Sequence, residues 1–265
     1  MYTGCLAMSE AFDVVVMGTG AAGLSAALSA HSNGANVLVV EKSSLAGSTT
    51  AMSGGCIWVP RHHYAERMGV TDSREAVLEY IHAVSPEGWH NREASAWAAF
   101  VDYAPEMLLF LEANTPLKFN PNRDPDPYAE EAGGLPFGRN VSAAPMRIGM
   151  LGDWKDKVRQ PTSDLRLSYE EIADTFLFAN PKKWVPRYLP RLAWRKLMNM
   201  RARGNALTIG LLKGCLDKGI EIRLSTPARR LEMTNGRVSG LEIGADDARE
   251  LVRIEKGVVL ASGGF

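Results

Sequence analysis

Gly18, Gly20 and Gly23 follow the apolar run Val14–Met17 at the spacing a buried strand needs to turn into a helix beneath a phosphate. Each glycine has its own job. Gly18 permits the tight turn, Gly20 lets backbone amides approach a pyrophosphate, and Gly23 lets the helix pack close on the strand. The phosphates then meet the helix N-terminus, where unpaired N–H groups and the helix dipole favour negative charge. Glu41 closes the second apolar run, Val37–Val40, about 20 positions on, where a carboxylate accepts from ribose hydroxyls. A glycine turn of this kind also occurs as a plain tight turn. Strand before, helix after and acid at the right distance point instead to an adenine dinucleotide site.

Beyond Glu41 the chain runs through Lys42, Gly47, Ser48, Thr49, Thr50, Ser53, Gly54 and Gly55, a loop rich in glycine and hydroxyl groups at the carboxyl end of a strand. Open α/β sheets bind ligands there, so this loop is a second candidate for phosphate or ring contacts. At the other end, Val258–Ala261 is a buried-strand pattern running into Ser262-Gly263-Gly264, a second glycine turn with which the sequence stops. The expectation is a fragment of a longer polypeptide.

With 265 residues, 46% of them apolar, the chain can bury one large core or two modest ones. Thirty basic and thirty acidic side chains cancel, so no global charge calls for nucleic acid. Cys5, Cys56 and Cys215 are scattered and odd in number, which fits neither a disulfide framework nor a zinc site and suits a reducing cytoplasm. Cys56, beside glycines, reads first as a small packed thiol. No apolar stretch is long enough to span a bilayer, and the N-terminus lacks a signal-peptide pattern. Adjacent histidines on an extended segment point oppositely, so His62-His63 suggests no metal site, and none is expected elsewhere. His31 reads as a helix-end cation, and Arg61 and Arg139 as residues that face solvent or meet a carboxylate.

Capping chemistry at Asp72–Glu75 precedes a helix, and further helices are expected over about 92–103 and from Pro105 to Ala113. Residues 114–165, rich in proline, glycine and aspartate, read as ordered loops. The stretch 182–203 carries Lys182, Lys183, Arg187, Arg191, Arg195, Lys196, Arg201 and Arg203 without one acid. A helix from Pro190 onward sets Ala193, Leu197 and Met200 on one face and the arginines roughly opposite, a solvated face or a peripheral membrane contact. A buried helix then ends near Gly219, followed by short strands over 221–224, 228–234, 237–243, 249–254 and 257–261, with Asn235-Gly236 as a hairpin turn. The resulting division is an N-terminal extension over 1–11, a βαβ unit with its loop over 12–60, a helical and loop-rich insertion over 61–203, and a helix, β-meander and returning strand over 204–265. The fold class is α/β: a Rossmann-like parallel sheet with an inserted meander and a cap insertion.

Residues 13–23, 40–42, 47–55 and 257–265 together resemble the FAD-binding half of the fumarate reductase and 3-ketosteroid Δ1-dehydrogenase flavoprotein superfamily. The resemblance implies FAD, with its phosphates on Gly18–Gly23, Ala21 and Ala22 included, its ribose on Glu41, and its flavin end along Ser48–Gly55. It sets Ala228 against the adenine and closes the site with Ala261, Ser262 and Gly263. Ser48 stands where the membrane-bound relatives carry a flavin-linking histidine, so the FAD is expected to be non-covalent. Gly55–Pro60, the helices around Ala104–Met107 and the basic stretch resemble the ketosteroid dehydrogenase branch.

That branch removes hydrogen from a carbon–carbon bond beside a carbonyl, which needs a proton acceptor, a carbonyl-polarising donor and a rigid pocket. In it these roles rest largely on tyrosines, and Tyr128, within Asp126–Gly134, is the one candidate here, although Pro127 replaces a first tyrosine. The implied substrate is a steroid or other cyclic enone, and the implied partner an external electron acceptor. A fumarate- or urocanate-type reductase and a non-catalytic FAD-binding fragment remain alternatives.

Overall fold

The computed structural model describes residues 8–175, 181–246 and 248–264. Its first half holds β1 (Met8–Met17), α1 (Ala21–Ser32), β2 (Val37–Val40), β3 (Cys56–Trp58), α2 (Arg74–Val84), α3 (His90–Asn114), β4 (Phe119–Pro121), β5 (Asn140–Ala143) and β6 (Met146–Arg147). The second half holds α4 (Tyr169–Thr175), α5 (Pro181–Leu197), β7 (Met200–Arg201), α6 (Arg203–Asp217), β8 (Glu221–Arg223), β9 (Ala228–Thr234), β10 (Arg237–Ile243) and β11 (Glu250–Leu260). These elements form two compact units. One takes the chain to Ser53, then Ile148–Thr162 and the residues from Thr208 on; the other takes Gly54–Arg147 and Ser163–Leu207.

The first unit is built on a six-stranded sheet in the order β8-β2-β1-β11-β10-β9. β1 runs parallel to both β2 and β11, pairing Val15 with Leu38 on one side and with Val258 on the other. A strand with two parallel neighbours has both faces covered, which is why its inner residues are uniformly apolar. Phe12, Val15, Leu38, Leu241, Ile243 and Val252 form the core beneath it. On α1, Leu24, Ala27 and Leu28 are buried. The Cys215 thiol of α6 donates to the Leu24 carbonyl at 3.6 Å, so this cysteine is a packing residue, and burial pushes its pKa up to about 12.

Several expectations are corrected here. β1 begins at Met8, so residues 8–11 pair with β11 and are not an extension; residues 1–7 lie outside the described part. The two strands expected over 249–254 and 257–261 are one, β11, antiparallel to β10 from Glu250 to Arg253 and parallel to β1 on its other side from Leu251 to Leu260. β8 is not in the meander but lies parallel to β2 at the far edge. The Asn235-Gly236 turn does join β9 to β10, with both φ angles positive (+52° and +77°), as a tight two-residue hairpin requires. Residues 148–162, read with the insertion, belong to the sheet-bearing unit because Ala46 and Val158 form a parallel bridge, with the Ala46 N–H donating to Lys157 O at 2.8 Å.

The second unit holds a small antiparallel sheet, β3-β5-β4, in the region read as loops. Strands of three or four residues that include Pro121 offer too little alternation to be seen in advance. Ser73 caps α2, its Oγ accepting the Ala76 N–H, whereas Asp72 is turned to other partners. The two helices expected on either side of Ala104 are a single helix, α3, with Pro105 inside it. Proline supplies no N–H, which frees the Val101 carbonyl four residues earlier, and Arg61 Nη1 donates to that oxygen at 3.5 Å. Burial of Val101, Ala104, Leu108 and Leu111 along one stripe carries the helix through. Replacing Pro105 with Ala restores the helical N–H, so P105A is expected to raise stability by about 1–2 kcal/mol in urea unfolding, after the lost rigidity of the unfolded chain is offset.

Candidate functional site

β1 delivers the chain into the Gly18–Gly23 turn, and two of its glycines are required by the protein itself. A Cβ on Gly23 would stand 1.9 Å from the Gly18 carbonyl oxygen, and one on Gly18, at φ +110°, would stand 2.5 Å from Ala261 O. The first and last glycine turns therefore meet backbone to backbone. Gly20 differs: a Cβ there would find only ordinary contacts, 3.5 Å from Thr50 Oγ1 and 3.7 Å from Ser48 Cβ. It caps α1 without a side-chain hydrogen bond, and the first turn of α1 carries no acid. That leaves the positive end of the helix dipole open to an anion.

Glu41 is 5% exposed at the end of β2. Its Oε2 accepts from Thr19 Oγ1 at 2.6 Å, from the Thr19 N–H at 3.1 Å and from Ser48 Oγ at 3.2 Å, while Oε1 accepts from the Ser43 N–H at 3.0 Å. Burial pushes this carboxyl up, but the bonds from Thr19, Ser43 and Ser48 outweigh it and hold the pKa below the usual 4.5. Thr19 Oγ1 also accepts the Gly47 N–H at 3.0 Å, so one buried hydroxyl joins the glycine turn, the acid and the following loop. Thr19 escaped the sequence analysis; its signal was a hydroxyl residue between two of the turn glycines.

The hydroxyl loop is knitted by its own side chains. Thr50 Oγ1 accepts the Ala21 N–H at 2.9 Å, and Ser53 Oγ donates to Thr50 O at 2.9 Å. Gly47, at φ +106°, faces Thr208 and Ala51 where a Cβ would come within 3 Å of both. Ser48 itself has a positive φ of +46°. Thr49, Lys42 and Ala22 are exposed. One groove of about 550 Å³ is lined by Gly18, Glu41, Lys42, Ser48, Ala228 and Ser262, together with Met17, Val40 and Pro227. Gly263 is exposed beside Ser262. Gly54 and Gly55 fall in the other compact unit, where Gly54 approaches the Tyr169 ring and Gly55, at φ +68°, lies against the Arg203–Gly204 backbone.

That second unit has an apolar pocket of its own, of about 900 Å³, lined among others by Trp58, Tyr80, Ile81, Tyr128 and Tyr169. Tyr128 is 68% exposed and its backbone is left-handed, at φ +58°. Tyr169 also escaped the sequence analysis, having no motif around it; burial raises its pKa, with Cys56 and Asp124 adding to the effect. Cys56 lies on the same pocket with its thiol pushed up to about 11 by burial, which keeps it protonated and unreactive.

Arg139 neither faces solvent nor is open to a carboxylate ligand. It is fully buried, with Asp72 and Asp126 each 2.7 Å from its guanidinium. Arg61 points to Val101 O and lies 3.9 Å from Asp102. His62 is buried and His63 exposed, the latter 3.0 Å from Glu112, and no metal-holding group of three occurs among the described residues. The basic stretch is corrected too: α5 starts at Pro181, before the expected Pro190, and Arg195 turns inward to Glu171 at 2.5 Å, while Arg191 stays exposed and pairs with the same carboxylate at 2.6 Å. Met200 lies on β7 rather than on the helix.

Sheet and groove define an α/β nucleotide-binding domain of the Rossmann-like class. Residues 13–265 match the FAD binding domain family, to which the chain belongs, and its cofactor is FAD. It is 33% identical over 272 residues to a 3-oxosteroid 1-dehydrogenase of Mycolicibacterium smegmatis, covering 97% of this chain and 47% of that protein. It is 32% identical to a 4-oxocyclohex-2-ene-1-carboxylate 5-dehydrogenase of Sinomonas cyclohexanicum, covering 96% of this chain and 45% of the relative. The crystal structure of 3-ketosteroid Δ1-dehydrogenase from Sterolibacterium denitrificans, in complex with 1,4-androstadiene-3,17-dione, superposes with a TM-score of 0.83 at 30% identity, over 97% of this chain and 48% of that one. The chain thus spans about half the length of the curated relatives it matches.

A carboxylate held below 4.5 contributes its full stabilisation above that value and loses it as the pH falls through the lowered one. Glu41→Gln is therefore expected to cost about 1.5–3 kcal/mol near neutral pH, as Thr19 and Ser43 lose a charged acceptor. In acid unfolding followed by circular dichroism, the gap between wild type and E41Q should narrow only as the pH falls below 4.5.

Proposed function

We propose that this chain is the FAD-holding part of an oxidoreductase that removes hydrogen from a CH–CH bond beside a ketone, of the 3-oxosteroid 1-dehydrogenase kind. The observation that carries it is the single groove lined by Gly18, Glu41, Lys42, Ser48, Ala228 and Ser262. In this reading the pyrophosphate lies on the amides of Gly20, Ala22 and Gly23, beside the Ala21 N–H that Thr50 Oγ1 holds. The absence of an internal packing reason for Gly20, and of an acid in the first turn, supports this. Ribose hydroxyls donate to Glu41 Oε1, which has one protein donor where Oε2 has three. Ala228 and Ser262 flank the groove, with Ala261 and Gly263 beside Ser262, and Lys42 supplies positive charge at its rim. Thr49, Thr50 and Ser53 meet the flavin end. Bound FAD supplies the hydride acceptor.

The substrate reading rests on relatives that act on cyclic ketones and on Tyr128, assigned to proton handling at an aromatic-lined pocket fit for a flat alicyclic ring. A dicarboxylate reductase finds less support, because Arg139 is already committed to Asp72 and Asp126. Ser48 carries a hydroxyl bonded to Glu41 where a covalent link would need a nucleophilic ring, which supports non-covalent FAD. The purified protein is expected to absorb near 450 nm, a flavin band, as an estimate from the cofactor's chemistry. Acid precipitation should release the colour to the supernatant; a colourless protein that binds no added FAD defeats the proposal, and a yellow pellet defeats its non-covalent part.

A second reading concerns location, and the observation favouring it is the outer face of α5. No described helix is long and apolar enough to cross a membrane. Leu189, Trp194 and Leu197 are 57%, 54% and 76% exposed, and exposed Lys182, Arg187 and Lys196 lie among them. Apolar and aromatic groups interleaved with cations suit the surface of an anionic bilayer. Co-sedimentation with vesicles containing phosphatidylglycerol should fall at least fivefold in a Trp194→Ala/Leu197→Ala variant, an estimate from the lost apolar burial. Equal recovery of the two proteins excludes this contact.

A further inference from the structure

The segment Pro125–Leu135 leaves the small sheet, bears Tyr128 and returns at Arg139, and it is closed at its base by reciprocal contacts. The Asp126 N–H donates to Leu135 O and the Leu135 N–H to Asp126 Oδ2, both at 3.0 Å. Asp126 is also the acceptor for Trp58 Nε1–H at 2.7 Å and for Arg139 Nη1–H at 2.7 Å. Arg139 bonds Asp72 through Nε and Nη2 at 3.0 and 2.7 Å, and lies over the rings of Trp58 and Tyr80 at 5.7 and 5.4 Å. Tyr80 closes the set by donating its hydroxyl to Pro127 O.

A fully buried guanidinium between two carboxylates is costly to desolvate and is replaceable, on stability grounds, by packed apolar groups. Here both Asp126 oxygens, the Tyr80 hydroxyl and one arm of the guanidinium are spent on the base of one loop, while the other arm is held by Asp72, and the residue just beyond that base, Tyr128, has a left-handed backbone that a tyrosine rarely adopts. Its side chain is exposed at the pocket mouth while its backbone is anchored: Tyr80 grips the preceding carbonyl, and the Glu131 N–H donates to Tyr128 O at 3.0 Å. A fixed backbone beneath a free phenol is the arrangement that aims a reacting group.

We propose that Arg139 and Asp126 are positioning residues, a buried clamp that sets the loop carrying Tyr128 at the aromatic pocket. This rests on the assignment of Tyr128 to proton handling. The test uses the longest polypeptide that carries this chain, loaded with FAD, and four variants: Asp126→Asn, Arg139→Lys, Tyr128→Phe and the Asp126→Asn/Tyr128→Phe pair. Chymotrypsin should cut after Tyr128 at least tenfold faster in Asp126→Asn and in Arg139→Lys, with FAD content and cleavage elsewhere unchanged. With a 3-oxosteroid and a dye acceptor, Asp126→Asn should lower kcat at least tenfold, and the paired variant should be no slower than Tyr128→Phe alone. Unchanged cleavage at Tyr128, or kcat losses that multiply in the pair, overturns the clamp. A Tyr128→Phe variant with full kcat overturns the role of Tyr128 itself, a result separate from the cleavage assay.

Discussion

The buried carboxylate of Glu41 is the point on which the sheet-bearing unit turns. A charge 5% exposed at the end of a parallel strand is tolerable only with donors around it, and the structure supplies four hydrogen bonds from Thr19, Ser43 and Ser48. Those donors come from the glycine turn, from the residues directly after β2 and from the hydroxyl loop. Satisfying one anion thereby fixes three backbone segments relative to each other. The Gly18–Ala261 approach adds the fourth, the turn after β11. A groove walled by these segments is a consequence of where the charge lies.

The second unit solves a similar problem with the opposite sign. Arg139 is buried with Asp72 and Asp126, and Glu171 with Arg195, so charges stand inside a unit whose strands are short. Strands of two to four residues bury little apolar surface each. Buried ion pairs with complete hydrogen bonding do not add much net stability, but they specify which loops meet. That suits an aromatic pocket walled jointly by β3, β5, α2, α4 and the loop that carries Tyr128.

Legibility in the sequence followed the range of the interaction. The β9–β10 hairpin was readable because Asn235-Gly236 is a local demand for two positive φ angles, and α1 because its glycines punctuate a strand-to-helix turn. Ser73 was readable as a cap for the same reason. The break expected at Pro105 was wrong because the carbonyl that proline frees is met by Arg61, a residue distant in sequence. The solvated arginine face expected on α5 fails at Arg195 because Glu171, which draws it inward, belongs to another helix. Thr19 lay in plain view within the turn, but its bond to Glu41 becomes visible only when β1 and β2 lie side by side.

Residue type and spacing by themselves determined that this chain has a strand–turn–helix of the dinucleotide-binding pattern, an acid closing its second strand, an α/β sheet and a second glycine turn at its far end. Those are properties of neighbours along the chain, set by φ preferences, apolar periodicity and strand length. Tertiary structure decided the rest: that β11 returns beside β1 so the two turns touch, that Ile148–Thr162 closes over the hydroxyl loop, and that Arg139 is a buried strut instead of a ligand for anions. The reason is that burial and charge pairing depend on which distant segments fill the space around a group.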